Sequence, residues 1–287
     1  MRFHYAESMT AVHNLLPLAK AAEELGYDGF AIPDSLMYPK ESDTKYAYTE
    51  TGDRSFLENK AFIETFVLAS MMGAVTSRLE LTTNVMKLPV RPPLYSAKMA
   101  ASIAVMTHNR FNFGVGLSVW PEDYAMMGVG WEKRGKRLDE CIDIVRGLCA
   151  GGYFEYHGEF YDFAPIKINP VPDKPLPILI GGHSDAALRR AARNDGWIFA
   201  GGKLDSLAEM ATKLDGFRKT VERKSEVPFR VFATAMGEVN ADSVKRHEDL
   251  GVTDMCVVFR NVYEDDTQTL DQKMDDLKAF SDRMIGR

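Results

Sequence analysis

The 287-residue sequence has few cysteines, and what it lacks excludes several kinds of protein. Cys141, Cys149 and Cys256 are odd in number and show no Cys-x-x-Cys spacing, so neither a disulfide framework nor a zinc knuckle is predicted. The six histidines show no metal-ligand spacing, so no metal site is expected. So few thiols fit a reducing cytoplasm, and the sequence begins without the apolar run of a signal peptide.

Three further features of the sequence limit the kinds of molecule that the protein is expected to bind. No uninterrupted run of about 18 apolar residues occurs, so no membrane span is expected. The formal net charge of −6 argues against a nucleic-acid or anionic-membrane surface. No Gly-x-Ser-x-Gly elbow occurs, which disfavours a serine hydrolase. A small-molecule substrate is therefore the expected partner.

Short apolar segments alternate with amphipathic segments along the chain, which predicts alternating strands and helices. Strict alternation implies parallel strands, and eight such units close into an α/β fold of the (β/α)₈ TIM-barrel type, here one domain over 1–287. An open doubly wound sheet is the alternative, but no Gly-x-Gly-x-x-Gly follows the first strand. The predicted strands are Arg2–Ala6, Asp28–Ile32, Leu79–Asn84, Phe111–Val115, Pro177–Ile180, Gly196–Ala200, Phe229–Ala235 and Asp254–Phe259.

Two long segments, Pro33–Glu58 and Leu117–Glu132, follow the second and fourth strands and so lie at the mouth of the barrel. A hairpin over Tyr153–Phe163, turning at His157–Gly158, is predicted before the fifth strand. The predicted helices run over about Val12–Leu25, Asn59–Val75, Pro92–Met106, Lys133–Ala150, Asp185–Arg193, Asp205–Arg223, Ala241–Leu250 and from Thr269 onward.

A glycine pair, Gly181–Gly182, follows the fifth strand, and glycines let backbone N–H groups approach an anion closely. Ser184 is a good N-cap for the next helix, whose free N–H groups and dipole suit a phosphate. Lys203, after the sixth strand, would add positive charge. The Gly181–Gly182 pair is equally compatible with a tight turn that binds no anion.

Each of the other polar and aromatic residues at the mouth is compatible with two roles. Asp34 is either a catalytic acid or a loop anchor, and His183 is either an acid–base group or solvent-facing. Aromatic side chains crowd the two long segments, where they either line a flat apolar pocket or pack the loops. They are Tyr38, Tyr46, Tyr48, Trp120, Tyr124 and Trp131.

Six segments occur in order: FAIPDSL, SRLELTTNVMKLPVRPPLYSAKMAASI, NRFNFGVG, GKRLDECIDIVRGLC, YHGEFYDF and PLPILIGGHSDAALRRAARNDGW. Together they resemble the bacterial-luciferase-like oxidoreductases, and most of all the branch that depends on the deazaflavin coenzyme F420. The resemblance covers roughly residues 1–203. It implies a (β/α)₈ barrel, in agreement with the alternation of elements, and a deazaflavin or flavin lying across the strand ends.

The resemblance also implies roles for individual residues. Family members have a cis, non-proline peptide at the end of strand three, here Asn84–Val85, which backs the cofactor ring. Asp34, with Ser35 beside it, matches a position that contacts the ring. The cofactor's phosphate or side chain would lie near Leu117 and Ser118, and near the backbone of Gly181, Gly182 and His183.

The sequence departs from the pattern of the sugar-phosphate dehydrogenase relatives at two positions. Ser35 stands where those relatives often have histidine, and Val119 stands where they have an acidic glutamate. Sugar-phosphate oxidation is therefore not expected, and the remaining candidate proton donors are Asp34, Glu122 and His183.

Three functions remain open after this comparison. The first is an F420-dependent oxidoreductase that moves a hydride between the deazaflavin and a small organic substrate. The second is a flavin-dependent monooxygenase that uses reduced FMN and oxygen, and the third is a non-catalytic cofactor-binding protein. Family members commonly form dimers through outer-wall helices, for which the apolar runs Phe62–Val75 and Ala97–Met106 are candidates.

Overall fold

Eight parallel strands form a closed barrel in this computed structural model, which describes residues 1–46, 49, 51–223, 225–235 and 237–286. Each strand pairs in parallel with its two neighbours around the ring, and β1 closes the ring by pairing with both β2 and β11. The predicted (β/α)₈ fold is confirmed. The barrel strands are β1 (Arg2–Tyr5), β2 (Gly29–Ile32), β3 (Glu80–Thr83), β5 (Phe111–Gly116), β8 (Ile178–Gly181), β9 (Gly196–Phe199), β10 (Arg230–Thr234) and β11 (Asp254–Val257).

Three short strands lie outside the eight-membered ring. The two-residue β4 (Met86–Lys87) pairs only with the end of β5. The predicted hairpin is confirmed as the antiparallel pair β6 (Phe154–His157) and β7 (Asp162–Ile166), although its second strand runs beyond the predicted end.

Helices surround the barrel, and side chains cap the amino ends of α2, α6, α8 and α9, whose bounds are given below. Ser184 caps its helix as predicted, since its Oγ accepts a hydrogen bond from the Ala187 backbone N–H at 3.2 Å. Capping boxes pair Asn240 with Ser243 and Thr269 with Gln272. The helices are α1 (Leu15–Glu24), α2 (Thr65–Val75), α3 (Pro93–Met106), α4 (Pro121–Met126), α5 (Arg134–Cys149), α6 (Asp185–Arg193), α7 (Leu204–Arg218), α8 (Ala241–Asp249) and α9 (Leu270–Phe280). In the described part of the chain, no helix is long and apolar enough to cross a membrane.

The helices differ most from the predictions in three places, the first of which is α7, which ends at Arg218 and not at Arg223. The helix predicted from Asn59 begins at Thr65, because Glu64 caps it through a hydrogen bond from the Val67 backbone N–H at 3.0 Å. The long segment after β5 contains α4, which the aperiodic sequence did not predict.

Side chains that point into the barrel form layers, as the two-residue period of a strand requires. The layer at the amino ends of the strands is polar: His4 Nε2 lies 2.7 Å from Asp254 Oδ1, and Arg230 bridges Asp254 and Glu80. An apolar layer lies above it, made of Ala31, Leu179, Ile198, Phe232 and Cys256. These two layers fill the lower barrel, and the cavity that the described residues form lies towards the carboxyl ends of the strands.

Candidate active site

A cavity of about 270 Å³ opens at the carboxyl ends of the barrel strands. Along β10 the inward positions run from Arg230 through Phe232 to Thr234, and Thr234 lines the cavity. The third inward layer therefore forms the cavity floor, contributed by Ala6, Pro33, Asn84, Ala200, Thr234 and Val258. This is the end of the barrel at which enzymes of this architecture carry their active sites.

Aromatic rings from three loops stand around the rim of the cavity. Tyr46 stacks on Trp120 with ring centroids 6.4 Å apart, and its edge meets Tyr263 at 6.2 Å. All three rings line the cavity, which for Tyr46 and Trp120 is one of the two alternatives that the sequence left open. Of the other predicted aromatics, Tyr38 lies under Arg54 and Tyr124 meets Trp131 edge-to-face, whereas Tyr48 falls outside the described residues.

The predicted cis peptide bond at Asn84–Val85 is confirmed. It follows β3, where the Asn84 N–H donates to Ile32 O at 2.7 Å. The Val85 side chain then lies against two glycines: a Cβ added to Gly116 or Gly181 would come within 2.8 Å of its methyl groups. A side chain at either glycine would therefore displace Val85, whose own side chain lines the cavity.

Asp34 follows β2, and both of its carboxylate oxygens are occupied. Oδ1 accepts from Arg91 Nη2 at 2.7 Å and Thr65 Oγ1 at 2.9 Å, and Oδ2 accepts from Arg91 Nη1 at 2.9 Å and the Lys87 backbone N–H at 2.8 Å. Its side chain is 1% exposed. This geometry joins β2, α2 and β4 and suits a positioning role.

Ser118, predicted to lie near the cofactor, is buried and belongs to a second cluster of hydrogen-bonded polar side chains. Its hydroxyl donates to Asp123 Oδ2 at 2.5 Å and accepts from the Trp120 N–H at 3.0 Å. Lys87 Nζ donates to the same Asp123 oxygen at 2.9 Å, and Lys87 lines the cavity. Ser118 thus helps to fix Asp123, which in turn holds a lysine at the cavity wall.

The predicted anion cradle lies beside the cavity, beyond Val85. Gly182 has φ of 124°, which favours glycine, and its carbonyl accepts from Trp197 Nε1 at 2.9 Å. The half-buried His183 ring stacks on Phe199 with centroids 4.7 Å apart, and burial lowers the pKa of His183. Lys203 is exposed at the start of α7.

The structure therefore brings together five of the eleven predicted site residues. Asp34, Ser35, Asn84, Val85 and Leu117 line the cavity. Ser118 lies behind its wall, and the remaining predicted residues lie outside its lining: Glu122, Gly181, Gly182, His183 and Lys203. Their roles in cofactor binding or catalysis stay predictions.

Two charged residues of the cavity lining were missed by sequence reasoning. Glu7 lies two residues after β1, and its carboxylate accepts from Tyr5 OH at 2.9 Å, Arg260 Nε at 3.1 Å and Lys273 Nζ at 3.1 Å. Lys87 lies in β4, two residues after the cis-bonded Val85. Both residues could have been predicted from their position, because each is a charged residue close to the end of a strand and next to apolar residues.

Comparison with known proteins agrees with this architecture. The sequence profile of the family described as luciferase-like monooxygenase matches residues 2–270. An uncharacterized protein of Mycobacterium tuberculosis is 51% identical over 289 residues, covering 100% of both chains. Pyrimidine monooxygenase RutA of Acinetobacter baylyi is 30% identical over 146 residues, which are 49% of this chain and 39% of RutA.

Solved structures share the fold at low sequence identity. An F420-dependent secondary alcohol dehydrogenase superposes with a TM-score of 0.75 at 12% identity, covering 99% of this chain and 98% of that one. The F420-dependent tetrahydromethanopterin reductase of Methanopyrus kandleri gives a TM-score of 0.74 at 14% identity, with coverages of 99% and 98%. With the barrel, the cavity at its carboxyl end and the profile match, the chain belongs to the luciferase-like monooxygenase family and is an oxidoreductase of that family.

Proposed function

We propose that this protein transfers a hydride between coenzyme F420 and a small organic substrate held in the 270 Å³ cavity. The observation that carries the proposal is the packing of Val85 against Gly116 and Gly181, which places an apolar side chain in the cavity wall just after β3. The resemblance of the sequence to the F420-dependent branch supports the deazaflavin. Membership of an oxidoreductase family favours catalysis over the non-catalytic alternative.

The residues present fit a deazaflavin. Asn84 Oδ1 is buried, has no hydrogen-bond partner among the described residues, and belongs to a residue that lines the cavity. A ring N–H would satisfy that oxygen, and a buried polar atom is costly until it is satisfied. Beside Val85, Gly182 and the amino end of α6 present backbone N–H groups suited to a phosphate-bearing tail.

When bound, the deazaflavin would supply the carbon that gives or accepts the hydride. The protein's own contribution is orientation and exclusion of water. Val85 would support one face of the ring, and Tyr46, Trp120 and Tyr263 would shield the substrate from solvent. The Asp34–Arg91 ion pair fixes the strand ends against which both molecules would rest.

Binding of F420 to the purified protein tests the proposal directly. We expect quenching of F420 fluorescence with a dissociation constant on the order of 10 µM or tighter. FMN titrated under the same conditions is the control for general flavin binding. Absence of F420 binding at that concentration would contradict the proposed cofactor.

A flavin-dependent monooxygenase is the second candidate. The observation that favours it is the match to a family described as luciferase-like monooxygenase, together with the partial match to RutA. In that case FMN would bind more tightly than F420, and substrate turnover would require oxygen. Measuring both affinities and the oxygen dependence of turnover separates the two candidates.

We also propose that the protein forms a homodimer through α2 and α3. Apolar side chains stand exposed on this outer wall, among them Met71 (49% exposed) and Met106 (79% exposed). Single exposed apolar residues are ordinary, but several on adjacent helices form a patch typical of interfaces. The others are Val67, Leu94 and Tyr95.

Replacing Met71 and Met106 together with glutamate is expected to weaken dimerisation at least tenfold, about 1.4 kcal/mol or more, because two charges would be buried at the interface. Sedimentation velocity across a dilution series measures the change. Met126→Glu is the control, since Met126 is 75% exposed on α4, away from this wall. A monomeric unmodified protein, or an unchanged dimer in the double variant, would argue against this interface.

A further inference from the structure

Among the residues that the structure describes, three charged side chains line the cavity: Glu7, Asp34 and Lys87. Glu7 is held between Arg260 and Lys273, and the Asp34 carboxylate is held by Arg91. Both carboxylates are acceptors in these pairs, so neither is arranged to give a proton to a bound molecule. Lys87 is the remaining charged group at the cavity wall.

The Lys87 ammonium is nearly enclosed, with 11% of its side chain exposed. Its partner Asp123 has a fully buried side chain and accepts the Nζ hydrogen bond at 2.9 Å. A buried ion pair is stable because each charge compensates the other, so Asp123 holds the Lys87 Nζ at the cavity wall. The Ser118 hydroxyl, bonded to the same Asp123 oxygen at 2.5 Å, fixes the orientation of the carboxylate.

The backbone of Lys87 is fixed as firmly as its side chain. Its N–H donates to Asp34 Oδ2 at 2.8 Å, and its carbonyl accepts from Arg91 Nη1 at 3.2 Å. Among the described residues, Asp123 is the recorded acceptor for the ammonium, which has three N–H donors. Two donors are therefore available to a molecule in the cavity.

We propose that Lys87 is the catalytic proton donor, and that the substrate carries a carbonyl oxygen, as a ketone or a conjugated ketone does. This inference rests on the proposed function. The reacting carbon of the substrate accepts a hydride, whose two electrons come from the reduced deazaflavin. The π electron pair of the C=O bond moves to the oxygen, directly or through the conjugated double bond. That oxygen takes a proton from Lys87 Nζ, and the neutral amine then regains a proton from solvent.

Two substitutions of Lys87 separate proton donation from charge. In Lys87→Arg the positive charge remains, but a guanidinium does not give up its proton. In Lys87→Gln the charge is lost, while the amide can still donate to Asp123. Lys60→Gln is the matched control, because Lys60 also pairs with one carboxylate, Asp265 at 2.6 Å, and does not line this cavity.

The first measurement uses p-nitrophenol with the cofactor-free protein, because its phenolate oxygen mimics the developing oxyanion and absorbs differently from the phenol. The unmodified protein, Lys87→Arg and Lys60→Gln are expected to stabilise the phenolate, and Lys87→Gln is expected to lose this effect. Equal phenolate absorbance with the unmodified protein and Lys87→Gln, or none with either, would overturn the proposal. This assay does not depend on F420, so it stands even if the proposed cofactor is wrong.

The second measurement is turnover of a reducible ketone with reduced F420, at a matched level of bound cofactor. Proton transfer contributes roughly 10²–10⁴-fold to such reactions, so both Lys87→Arg and Lys87→Gln should lose turnover by that factor, with Lys60→Gln unchanged. Turnover in Lys87→Arg close to that of the unmodified protein would show that Lys87 acts by charge alone and would refute proton donation. Thermal unfolding of each variant confirms that the loss does not come from misfolding.

Discussion

Replacing Arg230 with methionine is expected to lower the free energy of unfolding by about 3–5 kcal/mol. The guanidinium donates to Asp254 Oδ2 and Glu80 Oε2, each at 3.0 Å, in the polar layer at the amino ends of the strands. Methionine fills similar space but leaves the buried Asp254 carboxylate and the partly buried Glu80 carboxylate without this cation. Breaking a buried pair costs more than the pair contributes, because an uncompensated charge remains. Denaturant unfolding monitored by circular dichroism measures the loss.

The same substitution should change the acid sensitivity of the fold. Burial by itself raises the pKa of Asp254, but hydrogen bonds from His4 and Arg230 outweigh it and hold that pKa well below its ordinary value. Because the pKa is lower in the folded state, the ionised carboxylate stabilises the fold at neutral pH, and this stability is lost as the pH falls through the folded pKa. The free energy of unfolding should therefore decline less steeply with acidification in Arg230→Met.

Lys219→Met provides the control for the loss of a cation. Its side chain is 73% exposed and pairs with Asp215 on the surface of the chain, so no measurable change is expected. Similar losses in the two variants, or an unaltered pH dependence in Arg230→Met, would show that the polar layer does not stabilise the barrel in the way described.

Replacing Gly181 with alanine is expected to destabilise the fold by about 1–3 kcal/mol and to weaken cofactor binding at least tenfold. The new methyl carbon would lie 2.8 Å from one Val85 methyl and 2.9 Å from the other. Valine is branched at Cβ and has few rotamers, so relief requires movement of the backbone at the end of β3. That movement would displace the cavity wall proposed to support the ring.

The effect should depend on Val85 itself. In a Val85→Ala background the added methyl group has room, so Gly181→Ala should cost less than half of its original penalty. Gly216→Ala is the control, since a Cβ at this helical position meets no atom within 4 Å and alanine favours helix. A Gly181→Ala penalty that is equal in the two backgrounds would contradict the packing described here.

The barrel could be predicted from the sequence because its strands are buried on both faces. Strands such as Gly29–Ile32 and Asp254–Val257 are wholly buried, and this burial leaves short apolar runs that stand out from the amphipathic helices. The start of α2 was less predictable. Phe62 continues the apolar pattern before Thr65, but it lines the cavity from a loop, and Glu64 is an unusual cap.

The candidate site was predictable to the extent that it follows from chain position. Residues just after strands, such as Asp34, Asn84 and Leu117, lie where the rule for parallel barrels places them. Ion pairs between distant segments leave no local pattern. Lys87 pairs with Asp123, which lies 36 residues later in the chain, and Glu7 pairs with Lys273, which lies 266 residues later.

The filled lower half of the barrel has a consequence for the order of events during turnover. The polar layer around Arg230 and the apolar layer around Phe232 fill the opposite end, so molecules reach the cavity from the mouth, where the described part of the rim includes Tyr46, Trp120 and Tyr263. A cofactor held against Val85 beneath the substrate would have to enter first and leave last. Two reactants that share this passage would bind in a compulsory order. An analogue of the first reactant would then inhibit competitively against that reactant and give mixed inhibition against the second.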